Sequence, residues 1–244
     1  MATLSKAMEV FELSGVGHRE RIGIEGIDLD TYERLTFLNP DKQPNPDPQA
    51  RRLSAKRWSP ISLRAVLPHD RRSTPIFTDA LGPGLMLPGC ELAVSEKARQ
   101  LLSGPLASEA AFLPVDVRGA PGPYWLLYAL EYCGAVDMAK SVFTEPYASA
   151  LDRRAMLRKP AFEQSANLEQ RLVFRIPGSS TFVPPDVTYA TEAFLNLVQK
   201  LKLSGFTFLR ILSKDRKLQD GEKPVLVSRG AQYVPMTDLP PPAT

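Results

Sequence analysis

The sequence predicts an α+β protein: short, mostly mixed β-strands with a few amphipathic helices packed on the sheet. Three observations lead there. Strand-like apolar runs recur along the chain, separated by turn residues. A unit of the form short strand, Ser or Thr, Glu, two-to-three-turn helix, Ser-Gly, strand occurs twice. Proline stands at 23 of 244 positions, well above the ~5% usual, which disfavours a bundle of long helices.

Taken in order, Met8 to Leu13 (MEVFEL) reads as a short strand and Arg21 to Ile27 (RIGIEGI) as a second. Asn39 to Gln49 (NPDKQPNPDPQ) holds four prolines and four Asn or Asp and no apolar residue, the composition of a loop or linker. In Trp58 to Val66 (WSPISLRAV), Ile61, Leu63 and Ala65 alternate on one face of an expected strand, with Arg64 on the other. Leu92 to Val94 is a short strand running into Ser95, an expected N-cap, with Glu96 placed to favour the helix dipole. Ala98, Leu101 and Leu102 have the spacing of one buried helix face, and Ser103-Gly104-Pro105 ends the helix. Ala111 to Val117 (AFLPVDV) is a strand whose Pro114 cannot donate to a ladder, so it is expected at an edge or a bulge.

The stretch Pro123 to Ser141 (PYWLLYALEYCGAVDMAKS) is the most apolar of the chain, but Glu131 and Asp137 interrupt it. No window reaches the ~18 consecutive apolar residues of a spanning helix. It reads instead as a buried central strand from Tyr124 to about Leu130, apolar on both faces, then a turn near Gly134 and a segment capped by Asp137 before MAKSVF. Arg171 to Ile176 (RLVFRI) alternates, with Leu172, Phe174 and Ile176 inward and Arg171, Val173 and Arg175 outward. The second unit follows: Thr188 to Ala190, an N-cap at Thr191, Glu192, a helix with Phe194, Leu195, Val198 and Leu201 on its apolar face, Ser204-Gly205, and a strand from Phe206 to Leu212. Val225 to Val227 is one further strand. These readings divide the chain into N-terminal strands (1–38), a Pro-rich loop or linker (39–57), the main α+β domain (58–213) and a tail (214–244), its end DLPPPAT disordered.

Net charge is +3, too mild to suggest a nucleic-acid binder by itself. The N-terminus has no basic region followed by an apolar one, and a cytoplasmic location is the default expectation. Cys90 and Cys133 match no zinc or redox spacing and read as two buried thiols. His18 and His69 both sit in polar segments, and neither HxxH nor HExxH occurs. Gly15 to Glu20 (GVGHRE) begins like a dinucleotide loop but ends in Glu, and the P-loop and nucleophile-elbow patterns are missing.

Asp116, Glu131 and Asp137 lie in or beside apolar segments, where a carboxyl with a raised pKa could act as a general acid. The structural alternative is an outer-face Asp116 and an Asp137 that caps a helix. An enzyme of unknown reaction would draw on Asp116, Glu131 or His69. The basic run Arg51, Arg52, Lys56, Arg57, Arg64, Arg71 and Arg72 could meet phosphates, but only Trp58 interleaves with it, too thin a stacking platform for a single-strand binder. A patch for an acidic protein partner explains it as well.

From about Gly84 to Leu212, ordered blocks carry a resemblance. They are LAVSEKARQLL, AAFLPVDV, GPYWLLYALEYCGAVDMAKS and LVFRIPGSSTFVPPDVTYATEAFLNLVQKLKLSGFTFLRIL. Their order resembles immunity family eleven of the bacterial polymorphic toxin systems. Tyr128, Tyr132 and Cys133 depart from the aliphatic or polar residues expected in the third block, and residues 1–75 match nothing of the family. The resemblance implies a non-catalytic protein that binds one cognate toxin, encoded nearby, and occludes it. From the motifs, no cofactor, no metal and no membrane are expected, a weak nucleic-acid-binding module on 51–72 is kept only as an alternative, and no catalytic or partner-binding residue is assigned.

Overall fold

Ser95 shows why the first unit forms. Its backbone is extended, and its Oγ accepts the Ala98 amide at 3.2 Å, so one orphan N–H of the first turn is satisfied. The computed structural model describes residues 9–15, 23–26, 48–66, 76–82, 92–134, 136–137, 139–143, 157–159, 161–163, 166–176, 188–212, 225–227 and 232–233. Within them the first unit runs β6 (Leu92–Ser95), α2 (Glu96–Leu102), β7 (Ala110–Arg118) and β8 (Tyr124–Ala129). The second runs β11 (Val173–Phe174), β12 (Thr188–Thr191), α3 (Glu192–Lys200) and β13 (Phe206–Leu212).

The repeated grammar is a repeated topology. β8 pairs antiparallel with both β6 and β7, so these two are parallel with one strand between them. β1 (Val10–Gly15) pairs antiparallel with both β12 and β13 in the same way. Each unit is therefore a split β-α-β with a middle strand inserted. The larger sheet has the order β2-β3-β7-β8-β6-β5, adding β2 (Gly23–Gly26), β3 (Ile61–Val66) and β5 (Ala80–Leu81). The other has the order β11-β12-β1-β13-β14, with β14 at Val225–Val227. This is an α+β fold, as the sequence predicts.

The main core joins the two sheets and both helices. Phe11, Leu13, Phe206 and Phe208 of one sheet cluster with Leu92, Val94 and Leu127 of the other, and with Ala98 and Leu102 of α2 and Phe194 and Val198 of α3. On the opposite face of the six-stranded sheet, Ile61, Leu63, Leu113, Val115, Leu126 and Tyr128 form a second cluster, with Ala55 and Trp58 packed on it. β8 thus faces a core on each side, which accounts for its apolar run; it is the central strand that was expected.

Several expectations are corrected. The linker 39–57 contains helix α1 (Pro48–Lys56): Pro48 opens it, where a missing N–H costs nothing, and Arg51 is fully buried. The N-terminal strands are not a separate region, because β1 lies within one sheet and β2 borders the other; Val225–Val227 of the tail pairs with β13. Pro114 lies in an interior strand. Its carbonyl accepts the Trp58 indole N–H at 2.8 Å, away from β8, so the ring nitrogen also points there; the β3 ladder begins only at Val115. Arg171 to Ile176 yields only a two-residue strand, and Val173, Phe174, Arg175 and Ile176 are all buried, so the alternation fails. Leu101 is exposed. Thr191 precedes α3 but does not cap it: its hydroxyl donates to the Arg171 carbonyl at 2.7 Å. Asp137 caps a turn rather than a helix, accepting the Lys140 amide at 3.2 Å, and β9 (Val142–Phe143) follows. No helix among the described residues is long and apolar enough to cross a membrane.

Candidate functional site

The β7–β8 hairpin tip separates two depressions. The first, about 160 Å³, is lined by Asp79, Ser95, Lys97, Tyr124 and Ser204, among others, with Gly122 and Pro123 as one wall. Asp79 is its hub and is nearly buried. One carboxylate oxygen accepts the Ser95 hydroxyl at 2.9 Å; the other accepts the Ser204 amide and hydroxyl, each at 2.9 Å, and Lys97 Nζ at 3.2 Å. The Tyr124 hydroxyl donates to the Thr78 carbonyl at 2.9 Å; burial first, then the Asp79 charge, hold its pKa well above the ordinary phenol range.

Gly205 belongs to the same junction. Its φ is +84°, and a Cβ there would stand 2.2 Å from Thr78 Oγ1 and 2.3 Å from the Ala80 carbonyl oxygen. Only glycine allows this approach of α3's exit turn to β5. Asp79 therefore ties the exit of the second unit to the entrance of the first. No local pattern announces this: Asp79 lies in the short run IFTDAL, and its partners Ser95, Lys97 and Ser204 are 16, 18 and 125 residues away.

A counterpart runs the other way. Glu109, after α2, accepts the Leu172 and Val173 amides, each at 2.8 Å, at the start of β11. The Ser95 amide donates to the Asp79 carbonyl at 2.9 Å, and the Thr191 amide to the Leu172 carbonyl at 3.0 Å. Each unit's helix exit is thus held at the edge of the other sheet, by Asp79 beside β5 and by Glu109 bonding to β11.

The second depression, about 380 Å³, lies along β7 on the other side of the tip. Pro60, Pro114 and Pro123 line it, and Asp116 supplies the polar side chain of its wall. Asp116 is exposed, and its hydrogen-bond partner is the Ser62 hydroxyl at 3.3 Å, its register neighbour on β3.

The sequence-predicted residues do not converge. Asp116 lies near one end of the β7–β8 ladder, and Glu131 follows its other end; at ~3.4 Å per residue, the six residues from Ala110 to Asp116 put them about 20 Å apart. Glu131 pairs with Arg52, which also donates to the Ser108 carbonyl at 3.0 Å. Asp137 pairs with Lys140, and that bond, before opposing desolvation, holds its pKa below the usual carboxylate range. His18, His69 and Cys90 lie outside the described residues, and Cys133 is buried.

The basic run is also divided. Arg51 is interior: its Nε donates to the Ala129 carbonyl at 2.8 Å and its guanidinium stacks 3.9 Å from the Tyr128 ring centroid. Arg57 and Arg64 are exposed, and Arg71 and Arg72 lie outside the described residues. Tyr128, a departure from the resembled family, is thus the seat of a buried arginine. No protein-family model matches the chain, and comparison with curated proteins finds no relative.

Proposed function

We propose that this chain is a stoichiometric binding protein that neutralises a cognate bacterial toxin in the cytoplasm by occluding it, as its resemblance to the immunity family implies. One observation carries the reading: four acidic side chains at the junctions between elements, Asp79, Glu96, Glu109 and Glu131, are committed to holding the fold together. Asp79 and Glu109 join the two units, Glu131 anchors α1, and Glu96 clamps Arg99 through two bonds of 2.9 and 2.6 Å. Such a framework suits a rigid scaffold that offers a preformed surface, with a few residues supplying most of the binding energy. A nucleic-acid reading is weakened because Arg51 is buried in the fold and Arg52 is paired with Glu131.

The test is co-expression with the product of the neighbouring toxin gene. Protection of the host and co-elution as a stoichiometric complex are expected. A toxin that stays lethal and elutes alone overturns the reading.

A further inference from the structure

Helix α1 inverts the usual pattern of a surface helix. Its sequence is PQARRLSAK, and Leu53, its one large apolar side chain, is 51% exposed while Arg51 is fully buried. At about 100° per residue, two positions lie nearly on opposite sides of a helix, so the arginine is turned to the sheet and the leucine to solvent. What seats the helix is polar. Arg51 Nε donates to the Ala129 carbonyl at 2.8 Å, Arg52 donates to the Ser108 carbonyl at 3.0 Å and pairs with Glu131, and just past the helix the Trp58 indole donates to the Pro114 carbonyl at 2.8 Å. A single exposed leucine is ordinary on a protein surface. This one differs because the inward position of the same helix is held by an arginine, and such breaks of a local rule concentrate at functional sites.

The surroundings of Leu53 select the occupant. Lys56 and Arg57 follow it by three and four positions, so they border it on the same face, and both are exposed. Among the described residues neither has an ion pair. From Pro48 to Val66 the charged residues are Arg51, Arg52, Lys56, Arg57 and Arg64, with no Asp or Glu. Trp58 is the one aromatic residue of that stretch; it packs on the second core cluster with its N–H engaged, so it offers no stacking platform for bases. A leucine bordered by cations is complemented by an apolar recess with carboxylates at its rim.

We infer that this face of α1 docks an acidic patch of the protein partner, with Leu53 entering an apolar recess and Lys56 and Arg57 meeting the carboxylates around it. The rim charges steer the encounter and fix its register, and the desolvated leucine forms the centre of the contact. A helix already clamped to the sheet loses little entropy on binding. The inference rests on the toxin-binding reading only for the partner's identity.

The first test is calorimetric titration of the full chain with the neighbouring toxin. Leu53→Asp, and the double variant Lys56→Glu with Arg57→Glu, are each expected to weaken the complex by about tenfold or more. The parent complex is expected to weaken with added salt more steeply than that of the double variant. Leu101→Asp, at a second exposed leucine on α2, leaves the affinity unchanged. Thermal unfolding verifies that each variant is folded, and Leu53→Ser replaces Leu53→Asp if its transition is lost. Undiminished affinity in either α1 variant, or an equal loss in Leu101→Asp, overturns the inference but leaves the toxin-binding reading standing. If the parent chain forms no toxin complex, that reading falls and the face is tested alone, with a fluorescein-labelled amphipathic helical peptide of Leu and Glu. Saturable binding that both α1 variants weaken by about tenfold or more sustains the acidic-partner surface. No binding, binding unchanged in the variants, or tighter binding of an oligonucleotide that is indifferent to Leu53→Asp overturns it.

Discussion

In the first unit, β8 enters the slot between β6 and β7 by a hairpin made a few residues earlier. In the second, β1 fills the slot between β12 and β13 from the far end of the chain, pairing Val10 with Thr191. The strand arrangement is the same, but the entropy of assembly is not. The first unit is built from near neighbours, whereas the second must close a loop of most of the chain before its middle strand contributes anything. The helix starts differ in parallel. Ser95 both caps α2 and donates to Asp79, whereas Thr191 gives up capping to bond the Arg171 carbonyl. Sequence similarity between the units thus hides a division of labour in which one is locally determined and the other depends on long-range closure.

The sharpest way to break the comparison is Phe11→Ala. Phe11 is fully buried and packs edge-to-face on Phe208, at 5.8 Å between centroids. A loss of about 3–5 kcal/mol is expected in urea unfolding. Hydrogen exchange should show β12 and β13 amides losing protection beyond those of β8; uniform loss across both sheets would mean that the units do not differ in this way.

Asp79→Ala comes next. It leaves the Ser204 amide and hydroxyl, the Ser95 hydroxyl and Lys97 without their carboxylate, at a cost of about 3 kcal/mol. Glu109→Gln on the reciprocal contact should cost no more than about 1 kcal/mol, because an amide oxygen still accepts the Leu172 and Val173 N–H groups. Equal losses would contradict the assignment of Asp79 as the hub.

Capping sharpens the contrast further. Ser95→Ala is expected to cost about 1–2 kcal/mol, and Thr191→Val about 1 kcal/mol or less, by thermal unfolding. A reversed order would show that the Arg171 carbonyl contact matters more than a true cap.

The smallest effect concerns pH. Burial raises the pKa of Glu12, on β1, above its ordinary 4.5. As pH climbs past that value the unfolded chain ionises first, so the native state loses stability. Glu12→Gln should therefore be more stable than the parent at pH 7 and indistinguishable from it at pH 4 and below. A stability gain that is equal at both pH values would assign the effect to packing instead.

How much was legible follows from distance along the chain. The α+β class, both helices of the repeated unit, the cap at Ser95 and the two-faced burial of β8 were readable because periodicity, capping and apolar runs are local signals. The sequence also supplied Asp116 as an outer-face carboxylate, although not the proline slot around it. Helix α1 escaped because its buried residue is an arginine, which no hydrophobic pattern announces; its place is set by the Ala129 carbonyl and the Tyr128 ring. Pro114 escaped because a proline may sit inside a sheet wherever the neighbouring ladder has not yet begun, and only register reveals that. The tertiary structure alone decided that β1 completes the second unit and that Asp79 and Glu109 stitch the units reciprocally. Those bonds join residues separated by tens to more than a hundred positions, and no local preference specifies a partner that far away.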